Sequence, residues 1–230
     1  MLCAAPRKIM KSRKTTKSDI LNGTRTEENM KKNTLFWVQM SLFTAIELLF
    51  CFTVLGSLPL GPGIVATLAH IPALIAAMTL GKKAGAFIGL VLGISSVIVW
   101  TLMPANPLVA FAFSPFVPNG NVWSLLISVV PRFVFPIFAA WLFETLKKRR
   151  GLVLSASVAA GAGTFVHSLL VLSGIFFAFR GNDVVGGSYT TFLVMWGGLN
   201  ALIEIALAVI IVAAVVVPLS KLNTRRTRQV

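Results

Sequence analysis

Long apolar stretches alternate with short polar or basic segments from about residue 35 to residue 218 of this chain. Most of the stretches approach the roughly 20 apolar residues that an α-helix needs to cross the hydrocarbon core of a bilayer. The pattern predicts an all-α membrane protein, a bundle of six transmembrane helices. The predicted helices are residues 35–56, 64–80, 84–103, 122–146, 152–179 and 189–218.

Three of the five connections between these helices carry turn residues and little charge. Residues 57–63, with the sequence SLPLGPG, predict a tight turn, and residues 180–188 predict a polar loop. Residues 104–121 contain four prolines and no charge, yet they are too apolar for a solvated loop. We therefore expect this segment to fold back into the protein as a cap.

Basic residues mark one side of the membrane. All but two of the 21 Lys and Arg residues fall in four clusters, within residues 7–32, 82–83, 147–150 and 221–228. Lysine and arginine next to spanning helices favour the cytoplasmic side, so both termini are predicted to be cytoplasmic. The +14 net charge then faces anionic lipid head groups. A nucleic-acid partner is not expected, because no soluble face interleaves basic and aromatic residues.

Three regions follow from this reading. Residues 1–34 are basic and rich in Lys, Thr, Ser, Asn and Glu, which predicts a disordered cytoplasmic arm. Residues 35–219 form the six-helix transmembrane domain, and residues 220–230 form a basic cytoplasmic tail. Cys3 and Cys51 lie on the cytoplasmic side and in the membrane respectively, so no disulfide is expected. The expected location is the plasma membrane of a prokaryote, as a multi-pass protein.

Three ionisable residues remain inside the predicted membrane region: Glu47, Arg132 and Glu204. A charge at that depth costs at least ~2.5 kcal/mol, so each needs a partner or a wet cavity. Arg132 either forms a structural ion pair with one glutamate or faces a cavity and binds an anionic group of a ligand. The first alternative leaves one carboxylate to be protonated or hydrogen-bonded. The second suits the planar guanidinium, which binds a carboxylate through two parallel hydrogen bonds.

Other polar residues lie at similar depth. Asn200 is one turn before Glu204, so both project from one face of helix six. His167, near the middle of helix five, is either a helix-to-helix hydrogen-bond partner or a ligand contact. His70 precedes Pro72 and is expected to bond a carbonyl that the proline leaves free.

Aromatic residues crowd the predicted outer ends of helices four and six, namely Trp123, Tyr189 and Trp196. They form either an interfacial belt or a stacking surface for a ligand.

A stripe of glycines opens helix three at a strict spacing of four, at Gly81, Gly85, Gly89 and Gly93. Such a stripe predicts a neighbouring helix packed backbone to backbone.

Signatures of catalysis are missing from the sequence. It has no zinc-binding Cys/His cluster, no nucleophile elbow and no phosphate-binding loop. We therefore expect no enzyme activity, no metal and no cofactor, and the chain cannot hydrolyse ATP by itself.

Several strings resemble the substrate-binding S components of energy-coupling-factor (ECF) vitamin transporters, most of all the branch with pantothenate-specific members. The resemblance covers about residues 35–219. It rests on AHIPALI at 69–75, LGKKAGA at 80–86 with Gly89-Leu90, Phe113-Ser114-Pro115 and Val130-Pro131-Arg132.

The resemblance implies a six-helix bundle that binds a vitamin from outside. It also implies three partners: a transmembrane coupling subunit and two cytoplasmic ATPases. The family's alanine-x-x-x-alanine contact for the coupling subunit has its nearest match at Ser41 and Ala45, although Leu49 departs from the pattern. The substrate-binding residues expected here, beneath a cap formed by residues 57–63, are Arg132, Asn200, Glu204, His167, Trp123 and Tyr189.

Pantothenate fits these residues because it carries one carboxylate together with hydroxyl, amide and gem-dimethyl groups. The alternative is a stand-alone secondary carrier or channel for a small anionic metabolite. A carrier more often shows internal repeats and broken helices in both halves, and this sequence shows none.

Overall fold

The computed structural model describes residues 17–61, 64–104 and 106–228. Within these residues the chain forms six α-helices, a two-stranded antiparallel sheet and three short 3-10 helices. The 3-10 helices are Val54–Gly56, Pro107–Ala112 and Asp183–Val185. The main elements are α1 (Lys17–Phe52), β1 (Ser57–Gly61), β2 (Ile64–Thr67), α2 (Ile71–Leu80), α3 (Lys82–Leu102), α4 (Val122–Lys147), α5 (Leu152–Ala178) and α6 (Tyr189–Arg228).

Five of the six described α-helices contain a segment long and apolar enough to cross a membrane. Helices α3, α4 and α5 agree at each end with the sequence prediction to within two residues. The exception is α2, which has 10 residues. At 1.5 Å per residue it spans about 15 Å, half of the hydrocarbon core. The second helix is therefore too short to match the prediction of six helices that each cross the membrane.

The second predicted helix, residues 64–80, is wrong in its first half. Ile64–Thr67 is strand β2, which pairs with β1 so that Ser57 lies opposite Thr67. The predicted turn at 57–63 is thus mostly strand β1. β-Branched residues favour a strand, and a short apolar run cannot be assigned to helix or strand by periodicity alone. The helix begins only at Ile71, with Pro72 in its first turn, where the missing N–H costs nothing.

The chain divides into two units, residues 1–39 and residues 40–230. In the first unit, residues from Lys17 onward belong to α1, although the sequence predicted disorder as far as residue 34. The remainder of that predicted arm, residues 1–16, lies outside the described residues. At the other terminus α6 continues past Pro218 to Arg228, through most of the predicted tail. The cytoplasmic position of both ends stays a prediction.

The core of the second unit is a bundle in which α3 packs on α4, α4 on α5, and α5 on α6. The short α2 lies against α3, α4 and α6, and every residue from Ile71 to Met78 is buried. A helix that is apolar on all sides is expected in such an interior position.

Glycines set the distance between α3 and its neighbours. A Cβ atom at Gly85 would collide with Ala77 of α2, and one at Gly89 would collide with the carbonyl oxygen of Arg132 on α4. The predicted backbone packing is confirmed at these two positions and at Gly93. It is wrong for Gly81, where no atom lies within 4 Å of the added Cβ. Gly81 instead ends α2 with φ 100°, a conformation that favours glycine.

The segment between α3 and α4 folds back into the bundle, as predicted. Its 3-10 helix buries Ala110, Phe111 and Ala112. Helix α4 holds it through two serine hydroxyls: Ser124 donates to the Phe111 carbonyl at 2.6 Å, and Ser128 donates to the Phe113 carbonyl at 2.7 Å.

Candidate ligand-binding site

A cavity of about 260 Å³ lies within the unit formed by residues 40–230. Its volume is near the lower end of the roughly 300–1,000 Å³ typical of small-molecule sites, so it suits a small ligand. It is lined by residues from the end of α1, from the base of the hairpin, from the turn before α2 and from α3, α4, α5 and α6. The polar lining residues are Ser57, Thr67, His70, Ser96, Asn106, Arg132, His167, Ser168, Asn200 and Glu204, and the aromatic ones are Phe50, Trp100, Phe113 and Trp196.

Arg132 is held in this cavity by its own helix. Pro131 has no N–H to donate, which leaves the carbonyl of Ile127, four residues earlier, without its helical partner. The Arg132 Nη1 atom donates to the Ser128 carbonyl at 2.8 Å and approaches the Ile127 carbonyl at 3.5 Å. The Phe113 ring lies 5.4 Å from the guanidinium carbon. Both recorded hydrogen bonds use Nη1, so within the described residues Nε and Nη2 remain available to a ligand.

The alternative of a direct Arg132–glutamate ion pair does not hold in this structure. Among the described residues, the ion pair within 4.0 Å is the surface contact between Lys82 Nζ and Glu144 Oε2, at 2.8 Å. Glu47 is fully buried on α1, with Oε1 lying 3.7 Å from the Cys51 sulfur. The guanidinium is therefore a buried cation, 7% exposed, without a carboxylate in contact.

Glu204 uses both carboxylate oxygens within the protein. Oε1 accepts a hydrogen bond from the backbone N–H of Thr67 at 2.9 Å, and Oε2 accepts a longer one from the Ser168 hydroxyl at 3.5 Å. The side chain thus links α6 to the hairpin and to α5.

Two histidines stack beside the cavity. The rings of His70 and His167 lie 5.7 Å apart with an interplanar angle of 18°, and Phe135 packs 4.8 Å from His167. His70 Nε2 lies 3.2 Å from the hydroxyl oxygen of Thr164 on α5. A side-chain hydrogen bond to a neighbouring helix, considered for His167, is therefore made by His70, which immediately precedes α2.

Three of the lining side chains have buried polar atoms that no described residue satisfies. These atoms are Nδ1 of His70, both ring nitrogens of His167 and Oδ1 of Asn200. Leaving such an atom unpaired costs about 1–3 kcal/mol, so these side chains would gain from a hydrogen-bonding ligand.

The cavity brings together four of the six predicted substrate-binding residues: Arg132, Asn200, Glu204 and His167. Trp123 is 58% exposed and Tyr189 pairs with the Ser173 hydroxyl at 2.7 Å, and neither is among the described lining residues.

The predicted partner-contact residues Ser41 and Ala45 are both exposed on α1, as a contact with another subunit requires.

Sequence reasoning did not assign several lining residues to the site: Thr67, Ser168 and Trp100 were not considered, and His70 was given only a structural role. His70 and Trp100 carried a usable signal, since each is a polar or amphipathic residue in an apolar run. Thr67 and Ser168 carried none, because their position depends on how the hairpin and α5 pack.

Comparisons with known proteins give the family and the fold of this chain. Residues 36–216 match the family described as ECF transporter, substrate-specific component. The chain is 34% identical over 160 residues to the pantothenic acid transporter PanT of Lactococcus lactis subsp. cremoris (strain MG1363). The aligned region covers 67% of this chain and 78% of PanT. A solved structure of ThiT from Listeria monocytogenes matches with a TM-score of 0.53 at 16% identity, covering 83% of this chain and 98% of ThiT.

The likeness to ThiT shows a shared fold. The family match covers most of the chain, and its apolar helices fit a multi-pass protein of the plasma membrane. This chain belongs to the family of substrate-specific components of ECF transporters.

Proposed function

We propose that this protein is the substrate-specificity subunit of an ECF-type importer and binds pantothenate from outside the cell. The observation that carries the proposal is the state of Arg132. It is buried at the wall of the cavity, held by two carbonyl oxygens of its own helix, and has no carboxylate of a described residue within 4.0 Å. A buried cation without a carboxylate in direct contact is costly, so an anionic ligand is the partner that best completes the site.

The remaining lining suits the rest of pantothenate. Asn200 and His167 have unpaired polar atoms that can bond the hydroxyl and amide groups. Trp100 and Trp196 offer apolar surface for the gem-dimethyl group. The similarity to PanT, whose name describes it as a pantothenic acid transporter, supports the same ligand.

Transport requires energy from partner subunits under this proposal. The sequence contains no phosphate-binding loop, and the family consists of substrate-specific components. We propose that a transmembrane coupling subunit and two cytoplasmic ATPases complete the transporter. The exposed row of Ser41 and Ala45 on α1 is the proposed contact for the coupling subunit, and both termini are proposed to be cytoplasmic.

Two measurements test the proposal. Mass spectrometry of the small molecules that copurify with the detergent-solubilised protein should identify pantothenate, and calorimetric titration should show that pantothenate binds more tightly than other vitamins. Copurification and tighter binding of a different vitamin would overturn the choice of ligand.

A transport assay separates the importer subunit from the carrier alternative. Liposomes that contain this chain alone should bind pantothenate without accumulating it, and accumulation should require the coupling and ATPase subunits with ATP inside. Concentrative uptake by the single chain would favour the carrier.

A further inference from the structure

The hairpin β1–β2 has one backbone hydrogen bond that reaches far across the sequence. Thr67 lies at the end of β2, and its N–H donates to Oε1 of Glu204, 137 residues away on α6. A backbone N–H that points away from the partner strand needs another acceptor. At Thr67 that acceptor is a buried carboxylate.

The base of the hairpin is also part of the cavity wall. Gly56, Ser57 and Thr67 all line the cavity. The Gly56 carbonyl accepts hydrogen bonds from the N–H groups of Leu68 at 2.9 Å and Ala69 at 3.3 Å, which closes the base of the hairpin. These hydrogen bonds hold the two ends of the hairpin together, and the bond from Thr67 to Glu204 attaches this base to α6.

The carboxylate itself is held in position by a second helix. Its other oxygen, Oε2, accepts from the Ser168 hydroxyl on α5 at 3.5 Å, and Glu204 is almost fully buried. One side chain thus connects the hairpin, α5 and α6 at the edge of the cavity. A hydrogen bond to a charged acceptor in a low-dielectric site is stronger than one between neutral groups.

We propose that Glu204 is a positioning residue that tethers the hairpin to α6 and so sets how long a ligand stays in the cavity. It does not select which ligand binds. The part of this inference that concerns ligand residence rests on the proposed function, whereas the tether itself does not.

Ligand dissociation gives the first test, with radiolabelled pantothenate on the purified full chain. Glu204→Leu removes the acceptor and should speed dissociation by about 10- to 100-fold, with a smaller effect on association. Glu204→Gln keeps an oxygen that accepts from Thr67 and should stay within about 3-fold of the wild-type rate.

Thr67→Pro removes the same hydrogen bond from its other end. Proline is tolerated at an outward-facing position of an edge strand. The tether can therefore still be tested with this variant if Glu204→Leu does not fold. It should speed dissociation by a similar factor, and adding Glu204→Leu to it should have no further effect. A full additional effect in the double variant would overturn the tether.

A direct contact between Glu204 and the ligand predicts a different result. The tether predicts that Glu204→Leu speeds dissociation by the same factor for pantothenate and for its analogue without the secondary hydroxyl. Unequal factors would show that Glu204 contacts that part of the ligand, and would overturn the proposal.

The last measurement needs no ligand. In a background with Cys3→Ser and Cys51→Ser, Ser57→Cys places a thiol in the hairpin for labelling with a maleimide. Glu204→Leu should accelerate labelling about 10-fold. The matched control is Leu202→Ala, an exposed position of α6 two residues away, which should leave the labelling rate unchanged.

The labelling result separates the two proposals. Faster labelling in Glu204→Leu supports the tether even if the wild-type protein does not bind pantothenate. Unchanged labelling in a folded Glu204→Leu protein would overturn the tether even if pantothenate binds.

Discussion

The role of Arg132 gives the sharpest prediction. Replacing it by alanine removes a guanidinium that has Nε and Nη2 available to a ligand in a buried cavity. Loss of a desolvated, charge-assisted contact should weaken pantothenate binding by about 2–4 kcal/mol. That corresponds to an increase of roughly 30- to 1,000-fold in Kd. Arg132→Lys should give a smaller but clear loss, because an ammonium group does not reproduce the bidentate fork.

The effect on stability should be smaller than the effect on binding. To the described residues, Arg132 makes one short hydrogen bond at the Ser128 carbonyl, a longer one at the Ile127 carbonyl and one contact with the Phe113 ring, and no ion pair. Removing these should lower the free energy of unfolding by about 1–2 kcal/mol. Calorimetric titration and thermal melting on the same purified samples measure both quantities.

Arg180 offers a matched control for this experiment. Its guanidinium carbon lies 5.0 Å and 4.7 Å from the rings of Phe176 and Phe177, so it has similar aromatic contacts but does not line the cavity. Arg180→Ala should leave the Kd for pantothenate within about 2-fold. A folded Arg132→Ala protein with the wild-type Kd would refute the role proposed for Arg132. An unfolded one that Glu204→Gln restores would show that the arginine acts through a structural charge pair.

Three further predictions concern packing, the histidine and the topology. Gly89→Leu should lower the melting temperature strongly because no space exists for a side chain, whereas Gly151→Ala, with nothing within 4 Å of the added Cβ, should not. His167→Phe keeps the ring but loses both nitrogens, so melting should be preserved while pantothenate affinity falls about 10-fold; unchanged affinity would exclude a ligand contact. Cysteines at Lys82 and Arg149 should react with an impermeant reagent only in opened cells, and labelling in intact cells would reverse the topology.

Much of the fold could be predicted from the sequence. Helices that cross a membrane satisfy their backbone hydrogen bonds internally, and they require apolar stretches of about 20 residues that are visible in the sequence. In the structure, α4 begins after Asn121, whose side chain caps it, and α5 begins after Gly151. The hairpin was missed because Ile64–Thr67 is a short apolar run that suits a helix or a strand equally well. Only its pairing with residues 57–61, and its bond to α6, favour the strand.

Part of the candidate site could be predicted, because several of its residues are polar whereas the residues around them in the sequence are apolar. Arg132, His167, Asn200 and Glu204 are polar residues in apolar helices, and all four line the cavity. Which of them a ligand can use was not readable, because that depends on distances between helices. Glu204 shows this, since its oxygens accept from Thr67 and Ser168 on other elements.

Pro131 bears on the proposed binding of an anion by Arg132, although it is not among the described lining residues of the cavity. By leaving the Ile127 carbonyl without its helical N–H, it provides a second acceptor that holds the Arg132 guanidinium against its own helix. A free arginine side chain carries about 2 kcal/mol of rotamer entropy, which a ligand would otherwise have to overcome on binding. Here that ordering occurs when the protein folds. The site is therefore preorganised by a proline, and its geometry is set before any ligand arrives.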